Sequence, residues 1–337
     1  MTHHELGDLP MADFRRIGHE LIDWIADYLE NTEQYPVLSR SQPGEIRAQL
    51  PAAPPVQPES LDSMMADFQR IILPGITHWN HPNFYAYFSN TGSAPGILAE
   101  MLITALNVNG MLWRTSPAAT ELEEVTLDWL RQLLGLAEDW DGVIMDGASM
   151  SSMVAIAAAR EAIPGLAVRA KGMAQPDSPQ LRLYISEQTH SSVEKGAIVL
   201  GIGQDNVVKI PVDAQNGMDA VALATAVLHD LAEGKRPFFV CATVGTTSAT
   251  GVDPVPAIAD IAEHYGLWLH VDGAYGGVAA MVPEKHYLFD GVDRADSLVV
   301  NPHKWLFTPM DLSAFYTRRP DVVRRAFSLL PEYLRSA

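Results

Sequence analysis

One cysteine, Cys241, stands in a chain of 337 residues. An internal disulfide is therefore impossible, and a reducing compartment, the cytoplasm, is the expected setting. No CxxC pair and no His-rich tract offers metal ligands, so no metal is expected. Positive charge is scarce: 23 Lys and Arg face 41 Asp and Glu, a net of -18. That balance argues against nucleic acid or an anionic membrane surface as the general partner. No apolar run reaches the ~18 residues of a membrane-spanning helix. The opening Met1-Thr2-His3-His4-Glu5 lacks a basic stretch followed by an apolar core, and a signal peptide is not expected. No internal repeat of solenoid period is visible. What is present suits a globular protein: 47% hydrophobic and 19% charged, long enough for one large domain with flanking segments or for two domains.

Residues 10–30 carry Phe14, Ile17, Leu21, Trp24, Ile25, Tyr28 and Leu29 at helical spacing. This amphipathic helix packs either on its own domain or on a partner subunit. The proline-dense stretch 51–58 reads as an extended connector, followed by a helix over 60–72. The aromatic segment 77–90, broken by Pro82, is either core or an apolar wall for a ring-bearing ligand. Helices are expected over 95–106 and up to Leu134, the second capped by Ser116 or Thr120.

From Gly142 the pattern alternates strand and helix. Strands are expected at 143–145, 181–186, 207–211, 237–243, 267–271 and 297–300, with helices between them. That rhythm predicts an α/β fold with a mostly parallel sheet covered on both faces. The turn 146–152 consists mainly of small residues and opens an Ala-rich helix. It is either an ordinary cap or an anion site suited to a phosphate. An antiparallel pair is expected around Leu306 and 314–316, then a helix over 320–328. The final residues lack a closing element and read as the start of a loop.

Polar residues gather after the strands: His190, the run Thr243-Val244-Gly245-Thr246-Thr247, Asp272 and Lys304. Ligands bind outside the carboxyl ends of strands in open α/β sheets. An acid from one strand end and a lysine from the next suit pyridoxal phosphate, which needs a Schiff-base lysine and a carboxylate for its ring nitrogen.

Seven motifs support one resemblance. They are His-Pro-x-Phe-x-Ala-Tyr-Phe at 81–88, Ser-Pro-Ala-x-Thr-Glu-Leu-Glu at 116–123, Ala-Ser at 148–149 and His-Ser-Ser-Val-Glu-Lys at 190–195. Ala-Thr-x-Gly-Thr-Thr at 242–247, His-Val-Asp-x-Ala-Tyr-Gly-Gly at 270–277 and Asn-Pro-His-Lys-Trp at 301–305 complete the set. The chain resembles the group II pyridoxal-phosphate-dependent amino-acid decarboxylases, most closely those acting on aromatic L-amino acids. The resemblance implies an aspartate-aminotransferase-like (fold type I) large domain over 81–337, after an N-terminal helical segment and linker over 1–80. The family's small C-terminal domain is absent from the sequence.

The resemblance also assigns roles. Lys304 would carry the Schiff base, Asp272 would pair with the ring nitrogen, His190 would stack on one cofactor face and Ala274 would lie against the other. Ala148, Ser149, Asn301 and His303 would hold the phosphate, with Thr246 close to Asp272. Tyr87, Phe88 and Asn90 would form the substrate wall. Met111 and Trp113 would reach the neighbouring subunit's site, implying a homodimer with its active site at the subunit interface. Tyr333 would protonate the carbon that has lost CO2, which favours amine over aldehyde. The expected reaction is decarboxylation of an aromatic L-amino acid. Aldehyde synthesis, decarboxylation of another amino acid such as glutamate, or a cofactor-binding fragment without turnover are the alternatives. Gly273, Asp146-Gly147, Met111 and Asn90 depart from common family residues.

Overall fold

The computed structural model describes residues 9–329 except Ser89, Met111 and Asp177. By its internal contacts the chain divides into two units, one up to Ala86 and one from Tyr87. The first holds α1 (Met11–Glu30), α2 (Glu45–Ala48) and α3 (Leu61–Asp67). Ser60 caps α3, its hydroxyl accepting from the Ser63 amide at 3.1 Å. Trp24 of α1 stacks on Tyr28 and meets Phe68 edge-on, with ring centroids 5.4 and 5.3 Å apart. Part of the α1 apolar face is thus spent within its own unit, while Met11, Phe14, Leu21 and Leu29 stay exposed.

The second unit opens with α4 (Ala94–Leu106) and α5 (Pro117–Leu133). Then follow β1 (Asp141–Met145), α6 (Ala148–Glu161), α7 (Val168–Lys171), β2 (Leu181–Ser186), α8 (Ser191–Val199) and β3 (Val207–Ile210). The alternation continues with α9 (Ala220–Ala232), β4 (Arg236–Thr243), α10 (Val255–Tyr265) and β5 (Trp268–Asp272). It closes with β6 (Ser297–Val300), α11 (Pro302–Trp305), β7 (Ser313–Thr317) and α12 (Pro320–Phe327). The strands form one sheet in the order β1-β7-β6-β5-β4-β2-β3. Only β7 runs against its neighbours, pairing antiparallel with β1 and β6. The expected α/β class and mostly parallel sheet are present.

Strand alternation sorts the core into two layers. Val240, Ala242, Leu269 and Val271 join the layer containing α9 and α10. Phe239, Cys241 and Trp268 join the layer containing α6 and α8. Helix α6 crosses the sheet on small residues, and Ala155, Ala157, Ala158 and Ala159 are all buried. Small side chains allow the close approach that sets its first turn over the carboxyl ends of the strands.

One local expectation fails. Leu306 is not in a strand, and β7 takes its antiparallel partners from β1 and β6. Pro302 occupies the first turn of a short helix, where its fixed φ and missing N–H are tolerated. The Trp305 indole N–H then donates to the Tyr275 carbonyl at 2.6 Å, pinning that turn to the loop after β5.

Candidate active site

The carboxyl ends of β2, β4, β5 and β6 and the first turn of α6 surround a cavity of about 450 Å³. Its lining includes Ala148, Ser149, His190, Asp272, Ala274, Asn301, His303, Lys304 and Phe88. Nine residues expected to bind cofactor or substrate therefore meet at one place.

The geometry behind each is local. Asp272 ends β5, is buried, and accepts from the Ala274 amide through Oδ1 at 3.0 Å. Lys304 sits in α11. Burial lowers its pKa, because a charged ammonium is poorly solvated there, and Asp272 opposes that trend. Its Nζ lies 5.1 Å from the centre of the Phe88 ring, within cation–π range. His190 caps α8, its Nδ1 accepting from the Ser192 amide at 3.3 Å with the Ser192 hydroxyl at 2.9 Å. Those bonds fix the ring orientation and assign the proton of the neutral ring to Nε2. Burial also lowers the His190 pKa, against the pull of Asp272.

The loops after β4 and β5 touch closely. Gly245 adopts φ +85°, and a Cβ there would stand 2.9 Å from the Gly276 backbone. A Cβ on Gly276 would stand 2.5 Å from the Val244 carbonyl oxygen. This pair of glycines lets the two loops close one wall of the cavity. Gly273 is also tight, since a Cβ added to it would stand only 3.1 Å from the Val299 carbonyl oxygen.

His303 Nδ1 accepts from the Leu312 amide at 2.9 Å, which assigns the ring proton to Nε2. The Asn301 side-chain nitrogen lies 3.4 Å from that Nε2, so two donors would face each other. Turning the amide end for end gives its oxygen to Nε2–H and leaves its NH2 group as a buried donor. In the unturned setting Asn301 Oδ1 is the buried atom lacking a partner among the described residues. As placed, that oxygen is an unmatched acceptor beside the cavity.

Other expected residues stand elsewhere. The Thr246 hydroxyl is buried and accepts from the Gly251 amide at 2.9 Å, away from the cavity lining. Thr243 and Thr247 line the cavity instead. Tyr87 and Trp113 are exposed and outside the lining, with the Trp113 indole N–H donating to Glu121 at 2.8 Å. Asn90 also stands outside the lining, but its amide donates to the Met310 sulfur at 3.5 Å, and Met310 lines the cavity. Met111 and Tyr333 lie outside the described residues. Met310 and Asp311 also line the cavity, and sequence reasoning gave them no role; Asp146, the first residue of the small-residue turn, lines it too.

Comparison with known proteins defines the class. Residues 43–337 match the family model described as the pyridoxal-dependent decarboxylase conserved domain. The chain belongs to that family. It is 41% identical over 336 residues to tyrosine/DOPA decarboxylase 2 of Papaver somniferum, covering 97% of this chain and 62% of that protein. It is 40% identical to the phenylacetaldehyde synthase of a Rosa hybrid cultivar, covering 97% of this chain and 65% of that one. The solved structure of Catharanthus roseus tryptophan decarboxylase with L-tryptophan superposes with a TM-score of 0.90 at 42% identity. That match covers 96% of this chain and 70% of the solved one. The chain thus spans about two thirds of the length of these relatives.

The donor set fits pyridoxal phosphate. A desolvated amine and a buried carboxylate share the cavity, the start of α6 offers backbone N–H groups, and Asn301 has a buried amide end to satisfy.

Proposed function

We propose that the protein is a lyase that decarboxylates an aromatic L-amino acid, of the tyrosine, DOPA, tryptophan or phenylalanine type, to its amine and CO2. The observation that carries this reading is a desolvated Lys304 and a buried Asp272 facing one cavity with Phe88 and Met310 in its wall. Lys304 is the only Lys or Arg among the described lining residues. That one cation is committed to the cofactor in this reading, which favours an apolar ring over an acidic side chain.

Pyridoxal phosphate, once bound, supplies a carbonyl for an amine and a pyridinium ring that accepts an electron pair. The protein's part is placement and charge. Lys304, its ammonium disfavoured by burial, offers Nζ as a free amine more readily than a solvated lysine. Asp272 holds a negative charge where the ring nitrogen would carry its proton. His190, fixed by Ser192, presents its ring to the cavity. Ala148, Ser149, Asn301 and His303 are the proposed phosphate holders, and Ala274 supplies a small side chain against the ring. Phe88 and Met310 form the wall for the substrate's aromatic group. Tyr333 is the proposed proton donor, through its hydroxyl, to the carbon that has lost CO2.

We assign the active protein to a homodimer. Helix α4 has no buried side chain, and Leu98, Met101, Leu102, Ile103 and Leu106 stand exposed along it. A cover from a second copy suits so apolar a helix. A cytoplasmic setting accords with one buried, unpaired cysteine, and no described helix is long and apolar enough to cross a membrane.

The test is purified full chain loaded with pyridoxal phosphate and offered L-tyrosine, L-DOPA, L-tryptophan, L-phenylalanine and L-glutamate. CO2 and amine should appear in equal amounts from at least one aromatic substrate and not from glutamate. Aldehyde with hydrogen peroxide in place of amine would replace decarboxylation with the synthase reaction.

A further inference from the structure

Asp253 is 1% exposed and has no cationic partner among the described residues, yet it makes three strong contacts. Its Oδ1 accepts from the Met218 amide and its Oδ2 from the Thr243 amide, both at 2.7 Å. Its own amide donates to the Thr243 carbonyl at 2.9 Å. Both backbone groups of Thr243 are therefore held by one residue. Thr243 ends β4, lines the cavity, and pairs with Asp272 in the ladder to β5. The loop that Asp253 closes carries Gly245 and Thr247, which line the same wall.

We propose that Asp253 is a positioning residue for the Asp272 end of the cavity, clamping Thr243 beside Asp272 and placing a second buried negative charge behind it. This rests on the cofactor reading given above. The charge matters because the site must favour a ring that carries a proton. Two buried carboxylates repel each other until a cation arrives beside one of them. Binding a positively charged ring at Asp272 relieves that repulsion, so the affinity for such a ring is linked to the ionisation of Asp253.

The surroundings support the linkage. Burial pushes the Asp253 carboxyl up to about 6, against the two amide bonds, with Asp272 and Asp213 adding to the rise. The Cys241 thiol feels the same field, and burial followed by the charges of Asp272 and Asp253 holds its pKa well above the ordinary value. A protonated Asp253 also has a poorer acceptor at its hydroxyl oxygen, so acid weakens the clamp as well as the charge.

The experiment is a titration of the purified apo chain with pyridoxal phosphate from pH 5.5 to 8, followed by absorbance. Wild type, Asp253→Asn and the surface variant Asp213→Asn are compared. Asp253→Asn should bind about tenfold more weakly at pH 7.5, the scale of one lost charge-assisted hydrogen bond. It should also lose the part of the pH dependence that lies near pH 6. Asp213→Asn keeps the clamp, since Asp213 only orders its own turn through the Gln215 and Gly217 amides. It should move that inflection to lower pH. Circular dichroism separates weak binding from misfolding, and the Asp213 variant decides the matter if Asp253→Asn does not fold. Equal affinity and an unmoved inflection in both variants would overturn the proposal. A wild type that takes up no pyridoxal phosphate would instead overturn the cofactor reading.

Discussion

The two ends of the sheet bury charge in opposite ways. At the amino end, Asp230 of α9 accepts from Tyr184 at 2.8 Å, Arg182 at 3.0 Å and Lys235 at 3.1 Å. Burial pushes its carboxyl up, but these three donors outweigh burial and hold it below the ordinary range. At the carboxyl end, Asp272 and Lys304 share a cavity, and Asn301 Oδ1 and the Thr243 hydroxyl in its lining have no partner among the described residues. The same chain surrounds one buried acid with three side-chain donors and leaves another facing a cavity that a ligand fits. Buried polar groups without a partner cost stability, and two of those among the described residues, on Asn301 and Thr243, line this cavity.

The largest expected effect tests the open end. Lys304→Ala should lower amine formation by on the order of 10⁴–10⁶, as removal of a covalent catalytic group does. It should also abolish the visible absorbance of the cofactor–lysine bond. The apo variant should melt no lower than wild type, since a desolvated amine has been removed. Retained absorbance would refute the lysine assignment.

The closed end should respond the other way. Asp230→Ala leaves Arg182 and Lys235 without their shared acceptor and the buried Tyr184 hydroxyl without its partner. The expected loss is about 3 kcal/mol in urea unfolding, at the low end for a broken buried pair because both cations reach solvent. Activity per folded molecule should stay within about twofold, as expected for independent sites. A large fall in activity of the folded fraction would break the division between the two ends.

How much of this was legible follows from where side chains point. Asp272 and Lys304 follow short apolar strands, so motif and strand end located them together. Thr246, expected close to Asp272, stands outside the cavity lining for a backbone reason. The alternation through Phe239, Cys241 and Thr243 holds in β4, but Gly245 at φ +85° resets it, and Thr247 rather than Thr246 reaches the cavity. Met310 and Asp311 follow a helical turn and a loop with no periodicity, so no pattern could have placed them. Asp253 was invisible because its partners are backbone amides, which no side-chain motif records. Asn301 was expected from its motif, whereas its unpaired amide end emerged only from the hydrogen bonds of His303.

His270 sits between the two ends and sharpens the comparison. It is fully buried on the same face of β5 as Asp272, its ring centre 6.1 Å from that of Phe239 and 6.4 Å from that of Phe315. Nδ1 lies 2.9 Å from the Ser297 hydroxyl, and Nε2 has no partner among the described residues. Burial pushes its pKa down to about 4, against the pull of Asp272. The unfolded chain therefore binds more protons than the folded one between about pH 6.5 and 4, and this contribution to stability is lost as pH falls through that window. Asp253 works in the opposite sense, because its raised pKa makes the folded chain bind the extra proton below about pH 6. These two contributions oppose each other in wild type, so the difference between variants is the quantity to measure. Relative to its value at pH 7, the stability of His270→Phe should gain on wild type by roughly 3 kcal/mol at pH 4, at about 1.4 kcal/mol per pH unit. Urea unfolding of both proteins at pH 7, 6, 5 and 4 provides the measurement. A constant difference across that range would mean that His270 is not held neutral by the fold.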